Sequence, residues 1–464
     1  MRDLAFVGFL AALMAFGLKR PFLFVLAYAY VDIVAPQRLS YYLLNSIPLS
    51  MILALLAIGG WLIADDKREL RVAGRQWLML ILLLYAGFTT MHADFPVEAL
   101  DKWGWAWKAV VWAIFLPFVL RTRLRIESYL LFMVLSAGAI IIVGGIKTAL
   151  SGGGYGALNL MVDNNSGLYE GSIISAVSIA VVPIILWLAR HGTLFPRDRR
   201  VALFAYALTF ACLLIPVGTE ARTGLVCIGV LGVLMLRNAR NRFLYLGLVG
   251  IALAVAVPFL PKSFTSRMET ISTYQADSSA TTRLAVWSWT WNYAKSHPLG
   301  GGFDAYRSNV IKVDTVATQS AGAVELVKAQ SSRDAARAYH SSYFEMLGEQ
   351  GFPGLILFLL IHGIGLLRME ILRRRYRRAE GEEAWISPLA TALQHGQLIY
   401  LVGALFVGIA WQPFIYMLLG VQIGFDAYVG RKARALTRAA RALRPRAQPV
   451  MPSPALSPPS PPSR

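Results

Sequence analysis

Apolar residues in this chain of 464 residues fall into blocks that are separated by short polar segments. The blocks are about 15–22 residues long, which is the length that an α-helix needs to cross the hydrocarbon core of a bilayer. Strands of a membrane barrel alternate in polarity and are about half as long, so they do not explain the pattern. The pattern therefore predicts an all-α polytopic membrane protein with about 12–13 transmembrane helices and one large, partly helical loop.

The predicted spans are Leu4–Leu18, Pro21–Ala35, Leu43–Ala64, Trp77–Met91, Trp105–Leu120, Ile126–Ile146, Gly171–Leu188, Val201–Val217, Thr223–Leu236, Phe243–Leu260, Ser341–Leu367, Gly396–Ala410 and Trp411–Tyr428. The last two are either two short helices or one broken helix. The first is a retained helix rather than a signal peptide, because it lacks a small-residue cleavage site and two basic residues follow it directly.

Basic clusters between the blocks all fall on one side of the membrane if the spans alternate. The positive-inside rule places that side in the cytoplasm. We therefore expect a multi-pass protein of the bacterial inner membrane whose large loop faces the periplasm. The basic clusters are Lys19-Arg20, Lys67–Arg75, Arg121–Arg125, Arg197–Arg200, Arg237–Arg242, Arg368–Arg378 and the tail from Arg431.

The pattern divides the chain into five parts. Two groups of transmembrane helices, 1–146 and 147–260, precede a periplasmic loop, 261–340, that we expect to carry the chemistry. C-terminal transmembrane helices, 341–430, follow. The cytoplasmic tail, 431–464, begins as a basic amphipathic helix over Arg431–Arg446 and ends in a Pro/Ser-rich segment.

Composition agrees with a membrane protein, since 56% of residues are hydrophobic and only 15% are charged. The formal net charge is +19. That excess lies in the basic clusters between the spans, so it indicates contact with membrane lipids and not with nucleic acid. The two cysteines, Cys212 and Cys227, each lie in an apolar block, so we expect small buried side chains without a disulfide or metal role.

The large loop is rich in aromatic residues, among them Trp287 and Trp291, which indicates a folded segment. A helix is predicted over Thr281–Lys295, with Arg283 and both tryptophans on one face. The tryptophans either stack on sugars or anchor the loop at the interface, and we favour anchoring. Gly300–Gly302 either approach a phosphate or form a turn after the helix, which we favour.

Three basic residues are candidates for catalysis. Arg222 lies at the mouth of an apolar helix, Arg283 opens the loop helix, and a guanidinium is suited to phosphate oxygens. The alternatives are a salt bridge with Glu220 or snorkelling to headgroups for Arg222, and a solvated loop position for Arg283. His340 lies where the loop enters a span, and a neutral imidazole accepts a proton near pH 7; the alternative is a hydrogen-bonded surface histidine. If a helix runs back into the loop, Arg333 and Arg337 share a face with His340 and keep it neutral.

Asp163-Asn164-Asn165, in an outer segment, either contacts a sugar or caps the following helix. The sequence contains no D-x-D, H-E-x-x-H or P-loop motif, so it indicates neither a metal nor another cofactor.

Several of these segments resemble the O-antigen ligase and polymerase superfamily over roughly Asp163–Tyr428. They are Arg283-Leu-Ala-Val-Trp287, Pro298–Tyr306 and His340–Gly351, with Glu220–Gly224 and Asp163–Asn165 upstream. The N-terminal part resembles the exosortase-associated branch of O-glycosylation ligases. The resemblance implies transfer of a glycan from undecaprenyl diphosphate to an acceptor hydroxyl, on lipid A–core or on protein Ser/Thr, without a metal and with inversion.

The resemblance implies that His340 is the catalytic histidine and that Arg222 and Arg283 are the catalytic arginines. Candidate substrate-binding residues are Asn165, Tyr306, Arg333 and Arg337. Other functions also fit the sequence: a polysaccharide polymerase with the same chemistry, a polysaccharide or lipid transporter, and a non-catalytic scaffold. A transporter would place ionisable residues along a path through the membrane.

Overall fold

The structure is a computed structural model, and it describes residues 2–40, 42–153, 168–237, 278–321 and 324–442. Fourteen α-helices and one two-stranded antiparallel sheet are found in these ranges. The helices are α1 (Arg2–Lys19), α2 (Phe22–Val34), α3 (Pro36–Leu39), α4 (Leu49–Ala64), α5 (Gly74–Met91), α6 (Pro96–Val119), α7 (Arg123–Ser151), α8 (Gly171–His191), α9 (Arg199–Gly218), α10 (Arg222–Leu236), α11 (Ser278–Ser296), α12 (Ser342–Arg375), α13 (Ile386–Gly403) and α14 (Pro413–Ala442).

The predicted fold class is confirmed. Within the described ranges, every predicted span overlaps a helix, and five helices are long and apolar enough to cross a membrane. Three shorter apolar helices, α2, α4 and α10, accompany them. The predicted span Phe243–Leu260 and the tail after Ala442 lie outside the described residues. The two C-terminal spans are separate helices, α13 and α14, and α14 continues without interruption through the basic residues that follow Tyr428.

Segments that the charge pattern assigns to one side meet at one end of the bundle, which we call the basic end. Arg125, in the first turn of α7, pairs with Asp65 after α4 at 2.6 Å. The guanidinium of Arg121 donates to the carbonyl of Arg68 at 2.7 Å. These contacts join loops that are distant in sequence, as expected if the basic clusters share one surface.

The opposite end, which we call the loop end, collects the segments predicted to lie outside. The backbone N–H of Asp94, after α5, donates to the carbonyl of Gly301 at 2.8 Å. The hydroxyl of Tyr85 donates to the carbonyl of Leu299, also at 2.8 Å. The large loop is therefore packed on the ends of the transmembrane helices.

Close packing of α14 on α6 depends on two glycines one helical turn apart. A Cβ atom on Gly420 would lie 2.9 Å from Cδ2 of Leu116, and one on Gly424 would lie 2.9 Å from Cβ of Leu120. Without a hydrophobic driving force in lipid, helices associate through such close backbone approach. Both cysteines are buried and free, as the sequence predicts.

One element of the loop was not predicted. Strands β1 (Val310–Ala321) and β2 (Val324–Ala335) form an antiparallel hairpin with Val310 opposite Ala335. The hairpin stands between the loop helix α11 and the start of α12.

We predict that Gly420→Leu destabilises the protein, because the new side chain meets Leu116 on α6. Overpacking of a tight contact costs about 1–3 kcal/mol. Thermal unfolding of the detergent-solubilised protein measures the effect. Gly363→Leu is the matched control, since a Cβ on this helical glycine meets nothing within 4 Å. Equal unfolding midpoints for the two variants would contradict the packing argument.

Candidate active site

The loop helix α11 confirms the predicted helix and docks on α12 through aromatic side chains. The ring of Trp287 stacks on Phe344 with centroids 5.0 Å apart and planes 8° from parallel. Trp291 meets Phe352 edge-on at 5.9 Å. Both contacts lie on the first part of α12, so these tryptophans hold the loop helix against a transmembrane helix.

The glycine turn after α11 packs against a break in α12. Gly351 has φ 62° inside α12, which interrupts the helix just before Pro353. The N–H groups of Gly301 and Gly302 donate to the carbonyls of Gly348 and Glu349, at 3.1 and 2.9 Å. These bonds support the favoured interpretation, in which the glycines form a turn after the helix.

His340 has an unusual backbone conformation that its neighbours hold from both sides. Its φ is +49°, in the left-handed region that side chains other than glycine rarely adopt. On one side, Nε1–H of Trp287 donates to the carbonyl of Tyr339 at 2.8 Å. On the other, the N–H of Ser342 donates to the carbonyl of Ala404 at 2.8 Å. Such conformations persist where the surroundings over-determine them.

The chain that leads to His340 is extended, so the predicted helical face of Arg333, Arg337 and His340 is wrong. The buried side chain of Asn309 accepts from the N–H of Arg337 at 2.9 Å and donates to its carbonyl at 2.6 Å. These bonds occupy the backbone groups that a helix would need. Arg333 belongs to β2, opposite Lys312 in the register.

Burial and nearby positive charge favour the neutral form of the His340 imidazole. Burial lowers the pKa of His340, and the positive charges of Arg283 and Arg337 lower it further, while Glu170 opposes them. A depressed pKa means that the imidazole remains unprotonated at neutral pH, as a proton acceptor must. His340 and Arg283, two residues singled out in the sequence, therefore interact electrostatically at the loop end.

Arg222 is the first residue of α10, and this helix begins against the first turn of α8. A Cβ on Gly224 would lie 2.8 Å from Cβ of Ser175, whose hydroxyl lies 2.8 Å from that of Thr219. The same turn of α8 is capped by Glu170, which accepts from the N–H of Ile173 at 2.8 Å. Arg222 thus lies at the end of the bundle where Glu170 acts on His340.

The remaining sequence candidates have different positions. Tyr306, on a short 3-10 helix (Ala305–Ser308), meets the ring of Tyr339 edge-on at 5.6 Å, beside His340. Burial raises the pKa of Tyr306. The guanidinium of Arg337 is exposed and pairs with Asp334. Asn165 lies outside the described residues.

A charge cluster under the glycine turn was not identified from the sequence. The ammonium of Lys102, on α6, lies 2.7 Å from both Oε1 of Glu345 and Oε1 of Glu349, and 3.8 Å from Oδ1 of Asp304. Both glutamates lie on α12 and are buried. The spacing of the two glutamates was a signal in the sequence, because two carboxylates at i, i+4 at the start of an apolar helix require a cation. The sequence does not identify that cation as Lys102.

The same cluster fixes the backbone of the loop. The N–H of Asp304 donates to Oε1 of Glu349 at 3.1 Å, and the N–H of Ala410 donates to Oε2 of Glu345, also at 3.1 Å. Burial raises the pKa of Asp304, and Lys102 opposes that rise. The loop, α12 and the segment before α14 thus share one electrostatic centre.

We predict that Lys102→Met strongly destabilises the protein, because it leaves Glu345 and Glu349 buried without their cation. Breaking a buried pair in this way costs about 3–5 kcal/mol. Thermal unfolding in detergent measures the loss, with the exposed Lys295→Met as control. The double variant Lys102→Met/Glu349→Gln should regain part of the stability. A Lys102→Met midpoint equal to wild type would refute the role of the ammonium.

Comparison with protein-family models gives two matches. Residues 1–193 match a family of unknown function (DUF5935), and residues 207–359 match the O-antigen ligase family. No curated protein matches the chain. The second match includes Arg222, Arg283 and His340, and it supports a glycan-transferring role of the ligase or polymerase type in a multi-pass membrane protein. The match over residues 207–359 therefore supports membership in the O-antigen ligase superfamily.

Proposed function

We propose that the protein transfers a glycan from undecaprenyl diphosphate to an acceptor hydroxyl at the periplasmic face of the bacterial inner membrane. The observation that carries the proposal is the constrained left-handed backbone of His340, on which Arg283 acts electrostatically, within the residues that match the O-antigen ligase family. The basic end faces the cytoplasm in this proposal, because positive loops remain on that side. The loop end then meets the lipid-linked glycan at headgroup level.

His340 is the general base of the proposed reaction. Its neutral imidazole takes the proton of the acceptor hydroxyl as the oxygen attacks C1 of the donor sugar. The bond between C1 and the diphosphate oxygen breaks, and undecaprenyl diphosphate leaves with the electron pair. Attack from the face opposite the leaving group inverts the anomeric centre.

Arg283 and Arg222 stabilise the leaving diphosphate. Negative charge grows on its oxygens as the bond to C1 breaks, and a fixed guanidinium stabilises that charge without reorganisation. The arginines take the part that a metal ion has in other transferases. Because Arg283 also lowers the pKa of His340, one residue would serve both the base and the leaving group.

Support for the proposed substrate-binding residues is uneven. Arg337 acts electrostatically on His340, and Tyr306 contacts the residue that precedes it. The argument from helical spacing does not apply to Arg333, because this residue lies on strand β2. Asn165 stays a proposal from the resemblance alone. Lipid A–core and protein Ser/Thr are both proposed acceptors. Membership of the exosortase-associated branch and the five-part division of the chain stay predictions from the sequence.

Polymerisation is the first alternative, with the same chemistry on a second lipid-linked glycan.

Transport of a polysaccharide or a lipid is the second alternative, and a different observation supports it. A hydrogen-bonded chain of buried polar side chains runs from Arg75 through Gln422 and Gln397 to His362, with links of 3.0, 2.9 and 3.1 Å. Polar chains of this kind mark ion paths in some membrane proteins. The assay below separates these functions.

We predict that His340→Ala abolishes glycan transfer. Loss of a general base costs about 10²–10⁴-fold in rate. Wild type, His340→Ala, Arg283→Ala and the control His297→Ala are produced in a host that makes undecaprenyl-diphosphate-linked glycan, and the glycan on lipid A–core, on protein and on the carrier is measured.

Transfer to lipid A–core or protein in wild type and the control indicates a ligase and identifies its acceptor. Longer carrier-linked chains indicate a polymerase. Near-normal transfer by an inserted His340→Ala variant would remove the base role, and unchanged glycan pools in the wild type would favour transport.

We predict that Trp287→Phe lowers the transfer rate about tenfold while the protein stays folded. Phenylalanine keeps the stack on Phe344 but loses the N–H that fixes the Tyr339 carbonyl, and small misplacements of a catalytic group are costly. Rates are compared in purified protein with Trp289→Phe, whose ring stacks on Tyr293, as control. Equal rates for both variants would show that this hydrogen bond does not position His340.

A further inference from the structure

A narrow apolar groove opens between α7, α8 and α9, far from the candidate active site. Its volume is about 280 Å³, and every lining residue except Arg200 is apolar. Leu135 and Phe204, on its rim, are 41% and 50% exposed, so the groove is open to the surrounding bilayer. A helix with its side chains is about 10–12 Å across, so the groove is too small for a partner helix.

The groove extends from the basic end to about the middle of the membrane. Arg200 and Leu208 line it on α9, and they are separated by eight positions, or about 12 Å along the helix axis. On α7, Leu135 lies twelve residues beyond Arg123, or about 18 Å. Half of the hydrocarbon core is about 15 Å. The groove therefore has the depth of one leaflet.

The mouth of the groove is held in place by a buried carboxylate. Glu127 on α7 is fully buried, and it accepts from Nε of Arg123 at 2.6 Å. It also accepts from the N–H and the hydroxyl of Thr193, at 2.7 and 2.6 Å. The connection between α8 and α9 is thereby fixed to α7, so the opening exists before any ligand arrives.

Arg200 is exposed at this opening, whereas Arg197 and Arg199 are exposed outside its lining. Asp198 accepts from the backbone N–H of Arg200 at 3.3 Å. A planar guanidinium at headgroup level is suited to a phosphate.

We propose that this groove binds one phospholipid of the leaflet at the basic end, with an acyl chain along the apolar lining and the phosphate on Arg200. Two features of the groove select this ligand. Apolar walls of one-leaflet depth fit a single chain, and the one polar lining residue stands at the height of the headgroup. The inference is independent of the proposed transfer reaction.

Native mass spectrometry of the purified protein with added dioleoyl phosphatidylglycerol tests the proposal. Wild type should retain one lipid under conditions that strip the rest. Arg200→Gln should weaken retention about tenfold, because it removes charge-assisted hydrogen bonds to the phosphate. Ala189→Phe, which fills the groove, should abolish retention. Arg197→Gln and Ala207→Phe, outside the lining, should retain lipid as wild type does.

Two results would overturn the proposal. Equal retention by Arg200→Gln and Arg197→Gln would show that the phosphate is elsewhere, and equal retention by Ala189→Phe and Ala207→Phe would show that the chain is elsewhere. Arg200→Gln changes no buried contact, so the test remains decisive if the bulkier variant does not fold. Thermal unfolding in detergent checks that each variant is folded.

Discussion

The ammonium group of Lys102 permits a transmembrane helix to begin with two buried carboxylates. Without it, Glu345 and Glu349 would bring uncompensated charge to the edge of the hydrocarbon core, where it is costly. With it, the carboxylates also accept backbone N–H groups of other segments: Oε1 of Glu349 accepts from Asp304 as well as from the ammonium, and Oε2 of Glu345 accepts from Ala410. The position of the large loop on the bundle follows from this charge balance.

The loop is attached to α12 at several points, each by a different interaction. The backbone N–H of Asp304 donates to Glu349, the ring of Trp287 on α11 stacks on Phe344, and backbone hydrogen bonds hold the glycine turn. His340 lies between these attachments, and its left-handed backbone conformation is one that residues other than glycine rarely adopt. For the proposed reaction, this arrangement would position the base before a substrate binds.

Much of this architecture could be predicted from the sequence, because the bilayer imposes a length and a polarity on each span. The loop helix was predictable for a related reason, since Arg283, Trp287 and Trp291 repeat at helical spacing. The conformation of the chain before His340 could not be predicted. Arg333, Arg337 and His340 have helical spacing too, but the bonds from Asn309, which lies 28 residues before Arg337, select an extended chain. The pairing of Lys102 with Glu345 could not be predicted either, because the two residues are 243 positions apart in the sequence. Periodicity reports local structure, whereas these partners are chosen by the tertiary fold.

The break at Gly351 has a consequence for stability. A membrane helix normally satisfies its own carbonyls, but here those of Gly348 and Glu349 take donors from residues 301 and 302. Undocking of the loop would leave these two carbonyls without their donors, and an unsatisfied backbone group is costly in a membrane helix. The loop and the broken helix are therefore stabilised together, so that neither is complete without the other.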